Sequence, residues 1–202
     1  QAKAAGRNTA RFYDPAMQAA AEARAALEKD MRRGLAMHEF LLYYQVQVNG
    51  DGVAVGAEAL VRWKHASRGM VSPGDFISLA EQSGFILELG QWVLETACEQ
   101  LAAWAQEPAM ADWTLAVNVS ATQFAHADFV ANVFNALQRA GARADRLKLE
   151  LTETMLAVDI EDIIFKMFAI KSRGVSFSLD DFGTGYSSLS YLKRLPLSQL
   201  KI

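Results

Sequence analysis

Four carboxylates, an amide and a lysine stand near the ends of apolar runs: Glu58, Asn118, Glu150, the adjacent Asp180 and Asp181, and Lys201. Two ionised carboxylates held about 4 Å apart repel by about 4 kcal/mol at an effective dielectric near 20, so a fold that gathers several of them needs a cation in return. The donors are all oxygen, with no His or Cys among them. Hard ligands of this kind select Mg²⁺ or Mn²⁺ over zinc, and a formal charge of about −4 suffices for two divalent ions. Paired ions activate water and neutralise a phosphate during in-line displacement, which makes phosphodiester hydrolysis the reaction to look for, with Glu58 at its centre. Lys201 is a point charge suited to orienting an anionic water or a phosphoryl oxygen; its alternative is a structural ion pair with one of the acids. Arg62 shares the face of Glu58, and its fork suits either a phosphate or an interior acid. Taken alone, Asp180-Asp181 could also be a strand ending in solvent, since acid and glycine make turns for local reasons.

These groups meet only if strands carry them to one place. The runs 40–48 and 53–63 flank Asn49-Gly50-Asp51-Gly52, two turn-favouring pairs that predict an antiparallel hairpin. Helices are expected from Asp14-Pro15 to about Arg33, stopped by Gly34, then from Pro73, and over 86–106. Strands at 113–119, 146–152 and 175–181, and one starting near Gln199, then alternate with helices ending at Gly141, spanning 159–173 and lying near 187–193. Such alternation means a parallel sheet, doubly wound or closed as a barrel.

Side chains alternate faces along a strand, so Leu115, Val117 and Val119 oppose Asn118, and Leu147, Leu149 and Leu151 oppose Glu150. Val175, Phe177 and Leu179 oppose Asp180, Leu200 and Ile202 oppose Lys201, and Ala57, Ala59 and Val61 oppose Glu58, Leu60 and Arg62. A purely structural parallel sheet is apolar on both faces; this one is apolar on one. The simplest arrangement that gathers the polar set is a barrel with a polar mouth at the C-terminal ends of its strands. Asp181 is out of phase for a straight strand, so the chain bends there, eased by Gly183 and Gly185.

The 202 residues are 51% hydrophobic, ample for a packed core, and carry a net charge of −3 with Lys and Arg scattered. No basic stripe offers a surface to polymeric nucleic acid, while a small charged substrate stays open. No apolar run reaches the roughly 18 residues of a membrane span, so no membrane contact is expected of this segment. The single cysteine, Cys98, falls at helical spacing with Leu94 and Leu101, which reads as core and fits the reducing cytoplasm, whether or not a parent protein is membrane-anchored. His38 and His65 near hairpin ends and His126 in a polar turn read as surface residues rather than ligands.

Five segments together carry a family resemblance: Glu58-Ala59-Leu60-Val61-Arg62-Trp63, Asn118-Val119-Ser120, Glu150-Leu151-Thr152-Glu153, Asp180-Asp181-Phe182-Gly183-Thr184-Gly185 and Leu200-Lys201-Ile202. In order and spacing they resemble the EAL family of cyclic di-GMP phosphodiesterases, over about residues 37–202. The resemblance implies an α/β fold, a TIM-like (β/α) barrel with one antiparallel strand. It also implies that two Mg²⁺ or Mn²⁺ ions serve the cleavage of cyclic di-GMP to linear pGpG. By position, Glu58, Asn118, Glu150, Asp180 and Asp181 would be metal ligands, Lys201 would orient the attacking water, Arg62 would touch substrate phosphate, and Gln45 and Leu60 would lie against the ligand. Glu153 would brace the loop Phe182-Gly183-Thr184-Gly185, which in the family also serves a homodimer; the alternative for Glu153 is a helix N-terminal acid favoured by the dipole. The alternative activity is that of a non-catalytic cyclic di-GMP receptor.

Residues 1–13 resemble the tail of a GGDEF domain, so the expected organisation is a GGDEF-like tail at 1–13, a connecting helix at 14–36 and an EAL-type barrel at 37–202. Two departures stand out. Val46 follows Gln45 where family members usually have proline. The sequence also stops at Ile202, about six strands into a barrel of eight and before a further Glu and Gln of the family's site, so the expectation is a barrel incomplete at its C-terminus, with little activity in this piece.

Overall fold

The computed structural model describes residues 15–153, 155, 160–180 and 192–201. The residues resembling a GGDEF tail, the loop from Asp181 to Gly185 and most of the helix expected near 187–193 lie outside them.

Helix α1 (Pro15–Ala36) starts on proline, whose fixed φ suits the first helical turn. The stop expected at Gly34 is not there. Gly34 is needed for close approach: a Cβ at that position would stand 2.9 Å from both Trp63 Nε1 and Glu39 Oε2, which are themselves joined by a 3.0 Å hydrogen bond. The helix is turned by His38, the sole non-glycine residue at positive φ (57°) among the described residues. Glu39 N donates to Gly34 O at 2.9 Å and His38 N to Leu35 O at 3.3 Å, the two bonds of a Schellman closure in which glycine normally takes the left-handed position. A left-handed residue with a Cβ costs about 1 kcal/mol. His38→Gly is therefore expected to stabilise the fold by about 1 kcal/mol, seen as a melting temperature raised by about 2–4 °C; an unchanged melting temperature would contradict this account of the turn.

Strands β1 (Phe40–Val48) and β2 (Ala54–His65) form the expected antiparallel hairpin, with Gln45 opposite Glu58 and Tyr43 opposite Leu60. A short β3 (Gly69–Val71) folds back antiparallel on the end of β2, an element the sequence pattern did not suggest. Helices α2 (Pro73–Ser83) and α3 (Ile86–Trp104) follow, then β4 (Thr114–Asn118), α4 (Ala121–Ala125), α5 (Phe129–Ala140), β5 (Leu147–Thr152), α6 (Ile160–Lys171), β6 (Ser176–Asp180) and β7 (Gln199–Leu200). Strands β2, β4, β5, β6 and β7 are parallel neighbours, so the sheet runs β1-β2-β4-β5-β6-β7 as an open arc. This is the α/β, TIM-like order with β1 as its antiparallel strand.

The face alternation holds along the strands. Ala57, Ala59, Leu115, Val117, Leu147, Leu149, Phe177 and Leu179 are all buried under α3, α5 and α6, where they meet Leu94, Cys98, Val133, Leu137, Met167 and Ile170. Leu200 departs from it: at 46% exposure on the last described strand it is not covered by a helix. Cys98 is fully buried in this core, and burial, reinforced by Glu95 and Glu99, pushes its thiol up to about 12, so it is no nucleophile at neutral pH. A second cluster, Met31, Phe40, Trp63, Phe76, Phe85 and Leu89, joins the last turns of α1 to the hairpin and to α2. His65, expected at the surface, belongs on this buried side at 4% exposure. It shares β2's odd-numbered face with Trp63, and its Nδ1 accepts from Ser67 N at 3.1 Å and from Arg68 N at 3.2 Å. Its Nε2 faces Asp30 Oδ2 of α1 at 3.3 Å.

Candidate functional site

The even-numbered residues of the parallel strands point to the concave side of the arc, and pairing sets their heights. Asn118 pairs with Glu150, Glu150 with Ser178 and Thr152 with Asp180, while Lys201 N donates to Leu179 O at 2.8 Å and so brings Lys201 level with Asp180. The side chains converge accordingly. Lys201 Nζ donates to Glu58 Oε2 at 3.0 Å and to Glu150 Oε2, and stands 3.7 Å from Asp180 Oδ2. Asn118 Nδ2 donates to Glu58 Oε1 at 2.8 Å, and Ser178 Oγ to Glu150 Oε1 at 3.2 Å. Four strands thus deliver four acceptor-bearing side chains, and β7 leads into the ammonium that three of them, Glu58, Glu150 and Asp180, share.

Burial gives these contacts their strength. Glu150 is 1% exposed, and its carboxyl is pushed above the usual range first by burial, then by the charges of Glu58 and Asp180; the hydrogen bond from Lys201 pulls the other way without cancelling them. For Lys201 burial alone would lower the ammonium, but hydrogen bonds to Glu150 and Glu58 outweigh it and the net shift is upward, toward the charged form. Beneath them Lys148 donates to Gln199 Oε1 at 2.8 Å, and burial followed by the charge of Lys201 lowers its ammonium despite Glu150. The lysine is therefore the counter-charge of this carboxylate group. Among the described residues no three His, Cys, Asp or Glu side chains form a metal-holding group, and Glu58, Glu150 and Asp180 face the ammonium. By donor chemistry the set suits a hard divalent ion, being oxygen throughout.

A cavity of about 310 Å³ opens beside this cluster, walled by Leu60, Arg62, Asn118, Ile77, Leu89 and Gln123, among others. Leu60 and Arg62, expected against a ligand and its phosphate, both line this cavity. The Arg62 guanidinium sits 5.6 Å above the Tyr43 ring, and its Nη1 donates to Val61 O at 2.9 Å. Gln45 is exposed on the concave face opposite Glu58. Glu153, just past β5, is buried at 4% exposure. Asp181, Phe182, Gly183, Thr184 and Gly185 lie outside the described residues. The sequence reading missed Ser178, which is fully buried and hydrogen-bonded to Glu150. Its parity matches that of Asp180, and that signal could have found it. Gln123 of α4 also lines the cavity, and a single polar residue in a short helix gives no signal of that in the sequence.

Residues 28–202 match the family described as the EAL domain. Over its whole length the chain is 45% identical to the bifunctional diguanylate cyclase/cyclic di-GMP phosphodiesterase MucR of Pseudomonas aeruginosa, of which it covers 29%. It is 40% identical, again over its whole length, to the cyclic di-GMP phosphodiesterase NbdA of the same organism, of which it covers 26%. The chain thus spans under a third of the length of these curated relatives. In three dimensions it is similar to the PaMucR phosphodiesterase in its c-di-GMP complex, with a TM-score of 0.84 at 45% identity, covering 88% of this chain and 72% of that one.

Proposed function

This chain belongs to the EAL domain family, and from that membership we propose that the full-length protein carrying it hydrolyses cyclic di-GMP to linear pGpG in second-messenger signalling, with Mg²⁺ or Mn²⁺ as cofactor, the 202 residues alone having little activity. The observation that carries the reading is the convergence of Glu58, Glu150 and Asp180 on Lys201, with Asn118 on Glu58. Relatives bearing the phosphodiesterase name support the substrate.

In this reading Glu58, Asn118, Glu150 and Asp180, joined by Asp181, hold two divalent ions, whose chemistry is charge neutralisation and a lowered water pKa. Lys201 is held by its hydrogen bonds at the point where three carboxylates meet, and its ammonium holds and orients the attacking water. Arg62 grips a phosphate oxygen of the substrate with its fork, while Leu60 and the cavity wall receive the apolar face of the nucleotide and Gln45 lies alongside it. Water adds to one phosphorus, the P–O3′ bond breaks, and the product keeps its phosphate on the 5′ side.

Glu153 and the loop Phe182-Gly183-Thr184-Gly185 serve the site and a homodimer. The organisation proposed is a GGDEF-like tail at 1–13, a connecting helix at 14–36 and the EAL-type barrel at 37–202, in a cytoplasmic setting next to a GGDEF domain. Among the described residues no helix is long and apolar enough to cross a membrane.

Incubating the full-length protein with cyclic di-GMP and Mg²⁺ or Mn²⁺ and resolving the nucleotides by chromatography is the test. Accumulation of pGpG, abolished by EDTA and restored by added Mg²⁺, is the expected result. Binding without turnover makes the protein a receptor instead, and neither binding nor turnover sinks the substrate assignment.

A further inference from the structure

Beneath the carboxylate cluster the concave face of the sheet carries a second set of polar side chains, and they repeat the geometry of the first. Lys148 and Glu150 share one face of β5, Ser176 and Ser178 the same face of β6, and Gln199 and Lys201 that of the chain at β7, because each pair is two residues apart. Lys148 lies level with Ser176, Glu150 and Gln199 with Ser178, and Lys201 with Asp180. Two bonds therefore run between β5 and β7 across β6, each climbing one pleat. In the lower one Lys148 Nζ donates to Gln199 Oε1 at 2.8 Å; in the upper one Lys201 Nζ donates to Glu150 Oε2. Skipping a strand in this way sets the two backbones about 10 Å apart, a span that long side chains cover only if nothing tall stands between. Serine meets that condition at both places. Ser176 Oγ donates to Leu147 O at 3.4 Å and Ser178 Oγ to Glu150 Oε1 at 3.2 Å.

The lower bond matters because β7 is short and thinly packed. It consists of Gln199 and Leu200, and Leu200, on the opposite face from Lys201, is 46% exposed. Little apolar packing thus fixes the direction in which the Lys201 side chain leaves the sheet. We propose that Lys148 is a positioning residue for Lys201: by holding Gln199 from β5 it sets the twist of β7, and so the aim of the ammonium two residues on. This rests on the phosphodiesterase reading, in which that ammonium orients the attacking water. The acceptor of the strut is an amide and not a carboxylate, so no further anion competes with Glu58, Glu150 and Asp180 for Lys201. A reacting group held from below in this way needs little rearrangement when substrate arrives, and a displacement of about 1 Å is enough to cost rate.

Lys148→Met in the full-length protein keeps the apolar stem and removes the bond. It is expected to lower kcat for cyclic di-GMP about tenfold with KM within about twofold of wild type. In the ligand-free protein it should also speed, by about tenfold, amide hydrogen exchange at Lys201, whose N–H is bonded to Leu179 O. Gln199→Leu, at an exposed position, is expected to do the same, and the two substitutions together no more than either alone, as for partners in one bond. Lys148→Arg, which restores a cationic donor, should bring kcat back to within about threefold of wild type. A merely structural role would lower the melting temperature and leave kcat per folded molecule unchanged. That result, or effects of the two substitutions that multiply, overturns the proposal. If the wild type does not turn over cyclic di-GMP, the phosphodiesterase reading falls and the exchange rates alone decide: faster exchange in Lys148→Met keeps Lys148 as the support of β7, and unaltered exchange overturns that as well.

Discussion

Glu58→Ala in the full-length protein is expected to lower kcat for cyclic di-GMP by about 10³-fold or more while leaving far-ultraviolet circular dichroism unchanged. Glu58 is the carboxylate that ties the cluster together, with one oxygen taking Asn118 and the other Lys201. Its removal takes a charge from the proposed ion site and one of the bonds that fix the ammonium, and charge placed in advance of the reaction is where most catalysis of this type originates. The fold should tolerate the change. Lys201 keeps Glu150 and Asp180 as partners, and Glu150 loses a like charge that now pushes its carboxyl upward. Activity within tenfold of wild type, in the presence of Mg²⁺, would remove Glu58 from the reaction.

Trp63→Ala is expected to cost about 3–5 kcal/mol in urea unfolding, a large share of the stability of any domain of this size. The ring is fully buried, stacked on Phe40 at 5.2 Å and edge-on to Phe76 at 5.9 Å, and its indole N–H donates to Glu39 at 3.0 Å. Truncation would open a cavity between α1, the hairpin and α2 and would strand the Glu39 carboxylate. Because β2 carries both Trp63 and Glu58, the loss should reach the site as well, with turnover falling as the folded fraction falls. A loss below about 1 kcal/mol would show that the second cluster has collapsed around the gap, against the packing described.

The alternation of strands and helices after residue 113 was legible because buried parallel strands have to be apolar on the helix side, and a polar residue at every other position then shows what the opposite side holds. Glu58, Asn118, Glu150 and Asp180 came from that phase alone, and the hairpin from its two turn-favouring pairs. The same phase would have placed His65 with Trp63 and Ser178 with Asp180, had it been followed to the strand ends. Gly34 misled because glycine has two uses, ending a helix or letting another chain come near, and only the position of Trp63 decides between them. Three residues of β3 are too few for any period to register. Gln123 could not be read at all, since which residues of a short helix wall a cavity is a property of the folded surroundings and not of the residue.

The bond from Lys201 to Glu58 joins residues 143 positions apart. Loop closure on that scale is entropically affordable, because its cost grows only with the logarithm of length, but it is slow and comes late. During synthesis Glu58, Glu150 and Asp180 leave the ribosome well before the amine that balances them, so the nascent sheet carries unshielded negative charge along its concave side until β7 docks. The carboxylate cluster and a long-range step of folding then coincide, and a chain lacking β7 would have the acids without the ammonium that holds them together.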